Sequence, residues 1–408
     1  MKLSDLPHDN PASSTRESLR VEGITSLSGL ETKAEDWNAL ALAAPWQFPM
    51  SSHAWVCVFL EHCLKIGESW ICLFAYDGAK LVGVLPLVIE PYRRTLGGVP
   101  LQVPFNWHTF SVEILAAPGR ASEVVPFLLW SIRRFIPSWS ILRLTRLPQP
   151  SPTLSIIGKG IPGLRAVTFY DGDGSSISLA GGGDAYPAGI SRKFRRNLAN
   201  ARNRLAELHG VEFIRVEGQQ AARVHLEEFA NLEASGWKGR AGSAIKNSPD
   251  LMAFYDALTR RLGAIGWLQW FFLRAEGKVI AAKMNVKFGK SLVMCKIAYD
   301  EAYARYSPGN LLMEQDIEDA RQSQAIERID LVADAQWLAH RNPQMESYFH
   351  VRLYPTRPIP LLLGYLPFRI RRFLADLSLL TRLIHTVRAA MRWHNKAAPT
   401  PPTPSEGD

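Results

Sequence analysis

Apolar positions change their period several times along this chain, and each change predicts an element. Between residues 37 and 66, Trp37, Leu40, Trp55, Val58, Phe59, Cys63 and Leu64 recur at helical spacing, interrupted at Pro45 and Pro49, which predicts two short helices. The stretch "WICLFAYDGAKLVGVLPLVIEPYRR" then places two apolar runs around an Asp77-Gly78 turn signal, the pattern of a β-hairpin. A helix is expected around 121–135, and "SWSILRLTRL" alternates as a strand. Residues 148–187 are rich in Pro, Gly and Ser, with "GDGSS" and "AGGGD", and predict loops or a domain junction.

From Ser191 the character changes. In "SRKFRRNLANARNRLAELHG" the residues Phe194, Leu198, Ala201, Leu205 and Leu208 share one helical face, basic residues take the rest, and Gly210 is expected to end the helix. Further helices are predicted at about 219–235 and 249–263, with a glycine-rich loop "SGWKGRAGS" between them. Three strands joined at Glu276-Gly277 and Gly289-Lys290 follow, then a helix from near Pro308 to about Gln324 and a strand at "IERIDLV". The hairpin "WFFLRAEGKVIAAKMNV" resembles the earlier "ICLFAYDGAKLVGVLPLV", and helices precede both. An α+β (α/β) architecture with a mostly antiparallel sheet, built twice, is the expected fold class.

The stretch "YDEAYARYSPGNLL", residues 299–312, carries the most chemistry. A strand that turns tightly into a helix leaves unpaired N–H groups at the positive end of the helix dipole, which suits a phosphate. Ser307 is the expected N-cap, Pro308 fits the first turn, and Gly309 lets a ligand approach the backbone. On these residues alone an ordinary capped helix start without a ligand is the leading reading.

Composition narrows the partners. The 408 residues suffice for two domains, and the net charge of +9 points to an anionic partner such as nucleic acid, lipid head groups or a phosphate-bearing substrate. Cys57, Cys63, Cys72 and Cys295 form no CxxC pair and no zinc-ligand spacing, so no metal is expected and a reducing cytoplasm is the default. The amino terminus lacks the apolar core of a secretory signal, and no run of about 18 apolar residues predicts a spanning helix.

Three separated segments, "SRKFRRNLANARNRL", "LEASGWKGRAGSAI" and "CKIAYDEAYARYSPGNLLMEQDIEDA", resemble in this order the GNAT-like acyltransferases of the CelD (cellulose-biosynthesis) type, relatives of the Fem-type aminoacyl transferases. The resemblance runs from about residue 70 to 350 and is strongest from 191 to 332. It implies a duplicated GNAT fold and transfer of an acyl group from a thioester carrier, usually coenzyme A. It puts the carrier's pyrophosphate at Ser307, Gly309, Asn310 and Leu311, with Arg305 and Tyr306 alongside. "RYSPGN" departs from the superfamily loop, because it offers one glycine and a proline without an N–H.

An amine acceptor must lose a proton, the oxyanion wants N–H donors, and the leaving thiolate wants an acid. Backbone donors are expected near Lys296 to Ala298 on a splayed strand. Asp300 and Glu301 are candidate bases, with a salt bridge to Arg305 as the structural alternative; Tyr299, Tyr303 and Tyr306 are candidate acids. Trp237, Lys238 and Lys296 are candidate substrate contacts, Lys296 also as a neutraliser of Asp300. Asp330, Asp334 and His340 are weaker candidates.

The expected layout is a disordered lead (1–20), an N-terminal GNAT-like domain (21–187), a C-terminal acyltransferase domain (188–355), a basic amphipathic helical segment (356–396) and a disordered tail (397–408). In the basic segment Leu366, Ile370, Phe373, Leu374 and residues beyond form a stripe flanked by arginines, the pattern of an interfacial helix or of one docked on the protein's own sheet. The expected function is acyl-CoA-dependent N-acylation of a cell-envelope lipid or saccharide amine, in the cytoplasm or peripherally at the inner membrane. An acyl carrier protein is a second possible donor. The competing readings are a Fem-type transferase using aminoacyl-tRNA and a non-catalytic envelope or nucleic-acid-binding protein. No zinc-finger spacing or RNP-like motif supports nucleic acid.

Overall fold

A computed structural model describes residues 19–179, 190–221, 223–331 and 336–375. Residues 1–18 of the expected disordered lead, the "AGGGD" stretch, Asp334 and the greater part of the carboxy-terminal basic segment with its tail lie outside those residues, whereas Leu19 and Arg20 of the expected lead open β1. The first half runs β1 (Leu19–Ile24), α1 (Leu27–Glu31), α2 (Ala34–Ala43), α3 (His53–His62), the hairpin β2 (Ser69–Asp77) and β3 (Lys80–Ile89), β4 (Val99–Gln102), β5 (Leu115–Ala116), α4 (Ala121–Phe135), β6 (Trp139–Pro148), α5 (Pro152–Gly158) and β7 (Leu164–Ser178). The second half opens with α6 (Arg192–Ala206) and repeats the plan. It continues through β8 (Glu212–Glu217), α7 (Arg223–Ser235), α8 (Trp237–Arg240), α9 (Pro249–Ala264), β9 (Leu268–Ala275), β10 (Lys278–Phe288), β11 (Ser291–Tyr299), α10 (Pro308–Ser323), β12 (Arg328–Asp330) and β13 (Gln344–Pro355).

All strands among the described residues join one sheet in the order β1-β2-β3-β4-β6-β13-β7-β12-β11-β10-β9-β8, with β5 paired to β3. Counted inward from either edge, the two halves match. Each has an edge strand, a hairpin and one parallel pair, β4 with β6 in the first half and β11 with β12 in the second. The remaining pairs are antiparallel, so the architecture is the expected mixed α+β one with a mostly antiparallel sheet. At the centre the last strands are exchanged. β13 pairs with β6 of the first half, β7 pairs with β12 of the second, and β7 and β13 pair with each other from Leu164↔Pro355 to Ser176↔Gln344.

Three expectations need correction. Residues 148–187 are not simply loops, because they contain α5 and the long central strand β7. The glycines of "GDGSS" serve that strand: a Cβ on Gly174 would lie 2.5 Å from the ring of Tyr348 on β13. The helix after Ser191 ends at Ala206, and Gly210 (φ 62°) instead turns the chain into β8. The stretch "SGWKGRAGS" is not an open loop, since α8 winds through it and Gly239 packs where a Cβ would meet the Ala234 carbonyl at 1.8 Å.

A buried ion pair fixes α10 on the sheet. Lys283 of β10 is fully buried and bonds Asp316 of α10, whose carboxylate also accepts from Asn285 at 2.9 and 3.1 Å. Burial lowers the Lys283 ammonium, and Asp316 offsets part of that. Arg341, also buried, pairs with Glu314 and donates to the Asn310 carbonyl at 3.1 Å, so the first turn of α10 is held from outside.

Candidate active site

β11 pairs with β12 only at Ser291, Leu292 and Val293, whereas it stays paired with β10 out to Tyr299. Beyond Val293 the two parallel strands separate, and the β12-facing edge of β11 is left without a ladder partner. A bulge at Cys295 shifts the register against β10 between Met284 and Asn285. This is the splay expected near Lys296 to Ala298. Side chains alternate along it: Ile297 packs against the cluster that includes Met313 and Ile317 of α10, while Ala298 belongs to the main core with Leu232 of α7 and Phe254 of α9.

A cavity of about 450 Å³ opens at this splay, lined on one side by Ser307, Pro308, Gly309 and Asn310 and on the other by Leu232, Glu233, Trp237 and Lys238. Ile297, Ala298, Tyr299 and Glu301 complete the wall. A second cavity of about 370 Å³ shares Ser307 and Asn310 and is bounded by Lys193, Phe194 and Asn197 of the basic helix α6 and by His340. The start of α10 therefore faces two adjoining spaces, and the basic helix forms a wall of one.

Ser307 does not cap α10 with its side chain, contrary to expectation. Its backbone is left-handed (φ 50°, ψ 48°), a conformation in which its hydroxyl makes no cap hydrogen bond. Asn310 and Leu311 both donate their N–H groups to the Ser307 carbonyl, at 3.0 and 3.1 Å, and Pro308 has none. Gly309 N–H is the donor left in this first turn, beside the Ser307 hydroxyl and the Asn310 amide. Leu311 is buried in the core and Arg305 lies against the Tyr306 ring and hydroxyl, so neither lines either cavity.

The candidate acids and bases separate. Tyr299 is on the cavity wall, but Tyr306 is buried with its hydroxyl on Arg305, and Tyr303 donates to Glu276 at 2.7 Å, away from the cavity. Asp300 caps the turn that follows it by accepting from Ala302 N–H at 2.9 Å. Glu301 is committed to α8: it accepts from Trp237 N–H at 2.9 Å and takes both of its contacts to Arg240, at 2.8 and 3.0 Å. Those Arg240 hydrogen bonds hold its carboxyl below the usual range, which makes it a weak base. Of the weaker candidates, Asp330 is buried and holds Arg328, and His340 stacks on Phe194 at 5.5 Å.

Lys296 does not neutralise Asp300. Its ammonium sits over the Tyr255 ring, 5.2 Å from the centroid, in the field of Glu233 and Lys238. Burial lowers it to about 8, partly opposed by Glu233. Three neighbours were not singled out from the sequence. Glu233 is buried and accepts from Lys238 Nζ at 2.7 Å and Ile245 N–H at 2.9 Å. Tyr255 meets His108 Nδ1 through its hydroxyl at 3.0 Å. His108, contributed by the first half, is pushed down to about 4 by burial and by Lys296. The "LEASGWKG" motif contains Glu233, but His108 lies in a loop with no chemical signature of its own.

Among the described residues, Glu31, His53 and Cys57 bring metal-ligand atoms within 4.8 Å of one another. Arg261 already donates to Glu31 at 2.6 Å, and burial pushes the Cys57 thiol up to about 12. A protonated thiol 3.2 Å from His53 Nε2, one turn away on the same helix α3, fits an intrahelical polar contact better than a metal centre.

Residues 192–339 match the family model described as an acetyltransferase (GNAT) domain. The solved structure of FemX superposes with a TM-score of 0.62 at 10% identity, covering 84% of this chain and 99% of that one, a likeness of fold. Weaker likenesses are a tandem GNAT protein from the clavulanic acid biosynthesis pathway (TM-score 0.46, 13% identity, 81% and 98% covered) and L-PGS from Bacillus licheniformis (0.48, 12%, 83% and 96%). No curated protein matches the chain. The splayed strand and its following helix thus lie inside the segment that matches this domain model, and the protein is an acyltransferase.

Proposed function

We propose that the protein is an acyl-CoA-dependent N-acyltransferase whose acceptor is an amine on a cell-envelope lipid, of the ceramide type, or on a saccharide precursor. The observation that carries this reading is a single cavity bounded by an anion-suited helix start on one side of β11 and by Glu233, Lys238 and Trp237 on the other. The carrier's phosphates would meet Ser307 Oγ, Gly309 N–H and the Asn310 side chain, with Lys193 and Asn197 of the adjoining cavity reachable beyond them. Coenzyme A supplies the activated thioester; an acyl carrier protein would present the same group.

The acceptor enters from the Glu233 side. Its amine nitrogen bonds to the thioester carbonyl carbon, the carbon–sulfur bond breaks, and the amine's proton must leave. Lys296 is the group we assign to take it, because an amine held near 8 is part neutral at physiological pH and lies on the same face of β11 as Ala298. Tyr299 is the candidate donor to the departing thiolate. The unpaired edge of β11 offers backbone N–H groups to the developing oxyanion. Glu301 and Arg240 position Trp237, and Tyr255 with His108 positions Lys296.

A cytoplasmic protein that reaches the inner membrane peripherally is the setting this acceptor class requires. No helix among the described residues is long and apolar enough to cross a membrane.

Incubation with acyl-CoAs of increasing chain length and a panel of amines, read by release of free thiol, tests the proposal. Thiol release that depends on both substrates is the expected result. Turnover with charged tRNA as donor, and none with acyl-CoA, would instead favour the Fem-type reading.

A further inference from the structure

The described chain ends in a helical segment whose two faces are used differently. One π-helical turn, Leu361–Tyr365, runs into a helix at 366–375. Tyr365 and Phe368 pack on Tyr354 of β13 together with Leu96, Ile141 and Val167. Arg352 lies 3.9 Å from the Phe368 ring centre and Arg372 lies 4.8 Å from that of Phe169. This side is clamped to the sheet.

The opposite side is apolar and open. Leu362, Leu363, Leu366, Ile370, Phe373 and Leu374 are each between 43% and 64% exposed. At 3.6 residues per turn Leu366, Ile370, Phe373 and Leu374 fall within an arc of about 100°, bordered by Arg369 on one edge and Arg371 on the other, and Leu362 and Leu363 precede them in the π-helical turn. A scattered exposed leucine needs no explanation, but a contiguous stripe of this kind on a clamped helix does.

We infer that this stripe is a preformed docking face for an anionic lipid surface, with the leucines, Ile370 and Phe373 entering the acyl boundary and Arg369 and Arg371 meeting head-group phosphates. Charge decides among the occupants. A second copy laid on the stripe would bring the same arginines against each other. The apolar run at 377–396 of this chain carries Arg382, Arg388, Arg392 and Lys396 and no acidic residue, so it too opposes like charge with like. An anionic bilayer offers hydrocarbon and negative charge at the spacing the stripe presents. The face needs no folding on contact, since Tyr365 and Phe368 already hold it against β13. The inference stands whether or not the acyl-transfer reading holds.

The full-length chain should sediment with vesicles of phosphatidylglycerol and phosphatidylcholine and not with phosphatidylcholine alone. A triple Leu366→Ser, Ile370→Ser, Phe373→Ser variant should bind at least about tenfold more weakly at any salt concentration. An Arg369→Gln, Arg371→Gln variant should lose roughly fivefold per arginine at low salt and little at high salt. Unchanged melting temperatures establish that both variants fold. Failure of the wild type to bind anionic vesicles, or binding indifferent to the triple substitution, overturns the inference. So does a dimer in light scattering that the triple substitution dissociates, which would assign the stripe to a second copy.

Discussion

At the residue scale, Lys296 and Glu301 make opposite predictions. Lys296 works as a base only when neutral, so kcat/KM should rise with pH through about 8 and then level. Lys296→Met should remove that limb and reduce kcat by about 10² to 10⁴-fold, whereas Glu301→Gln should stay within about tenfold of wild type because Glu301 positions α8. A stability measurement needs no substrate. The folded value near 8 is below the ordinary 10.5, so the unfolded chain binds more protons between them. Stability should therefore rise with pH across that window in the wild type, and denaturant titration of Lys296→Met should show the rise abolished. Much of the cavity wall was legible in one stretch of sequence: Tyr299, Glu301, Ser307, Gly309 and Asn310 all fall between 299 and 310, and strand, turn and helix start follow one another there. Glu233 and His108 were not, since burial and a partner 147 residues away give a side chain its chemistry without marking the sequence.

At the element scale, α10 keeps its first turn at the cavity because Asp316 and Arg341 hold it from two sides. Removing one partner of the Lys283–Asp316 pair, as in Asp316→Ala, should cost about 3–5 kcal/mol in chemical denaturation, because a buried charge is left unpaired. Replacing both with apolar residues of similar size should recover most of it. In α8, Gly239→Ala should displace Trp237 and Lys238, since no rotamer relieves a contact with the Ala234 backbone; loss of protection from hydrogen exchange at 237–240 is the expected signature. Helices and hairpins were readable from apolar period and turn residues, as with α4, β2–β3 and β9–β10. β7 was not, because its glycines and serines are the composition of a loop, and only the close approach of Tyr348 makes them useful in a strand.

For the whole molecule, the exchange of β7 and β13 makes the sequence boundary near residue 188 a poor place to divide the protein. A fragment of residues 190–375 would leave β12 without β7 and β13 without both neighbours. It should lack a cooperative thermal transition, while the full chain unfolds in one; circular dichroism distinguishes the two outcomes. The duplication itself was visible in the paired hairpins, but the exchange was not, because register across a sheet depends on which edges meet. It also sets a timetable for synthesis. β6 has no partner on its inner side until β13 has left the ribosome, nearly two hundred residues later. During that interval the first half exposes a strand edge open to misassociation. The acyltransferase can complete its sheet only after β13 has been made.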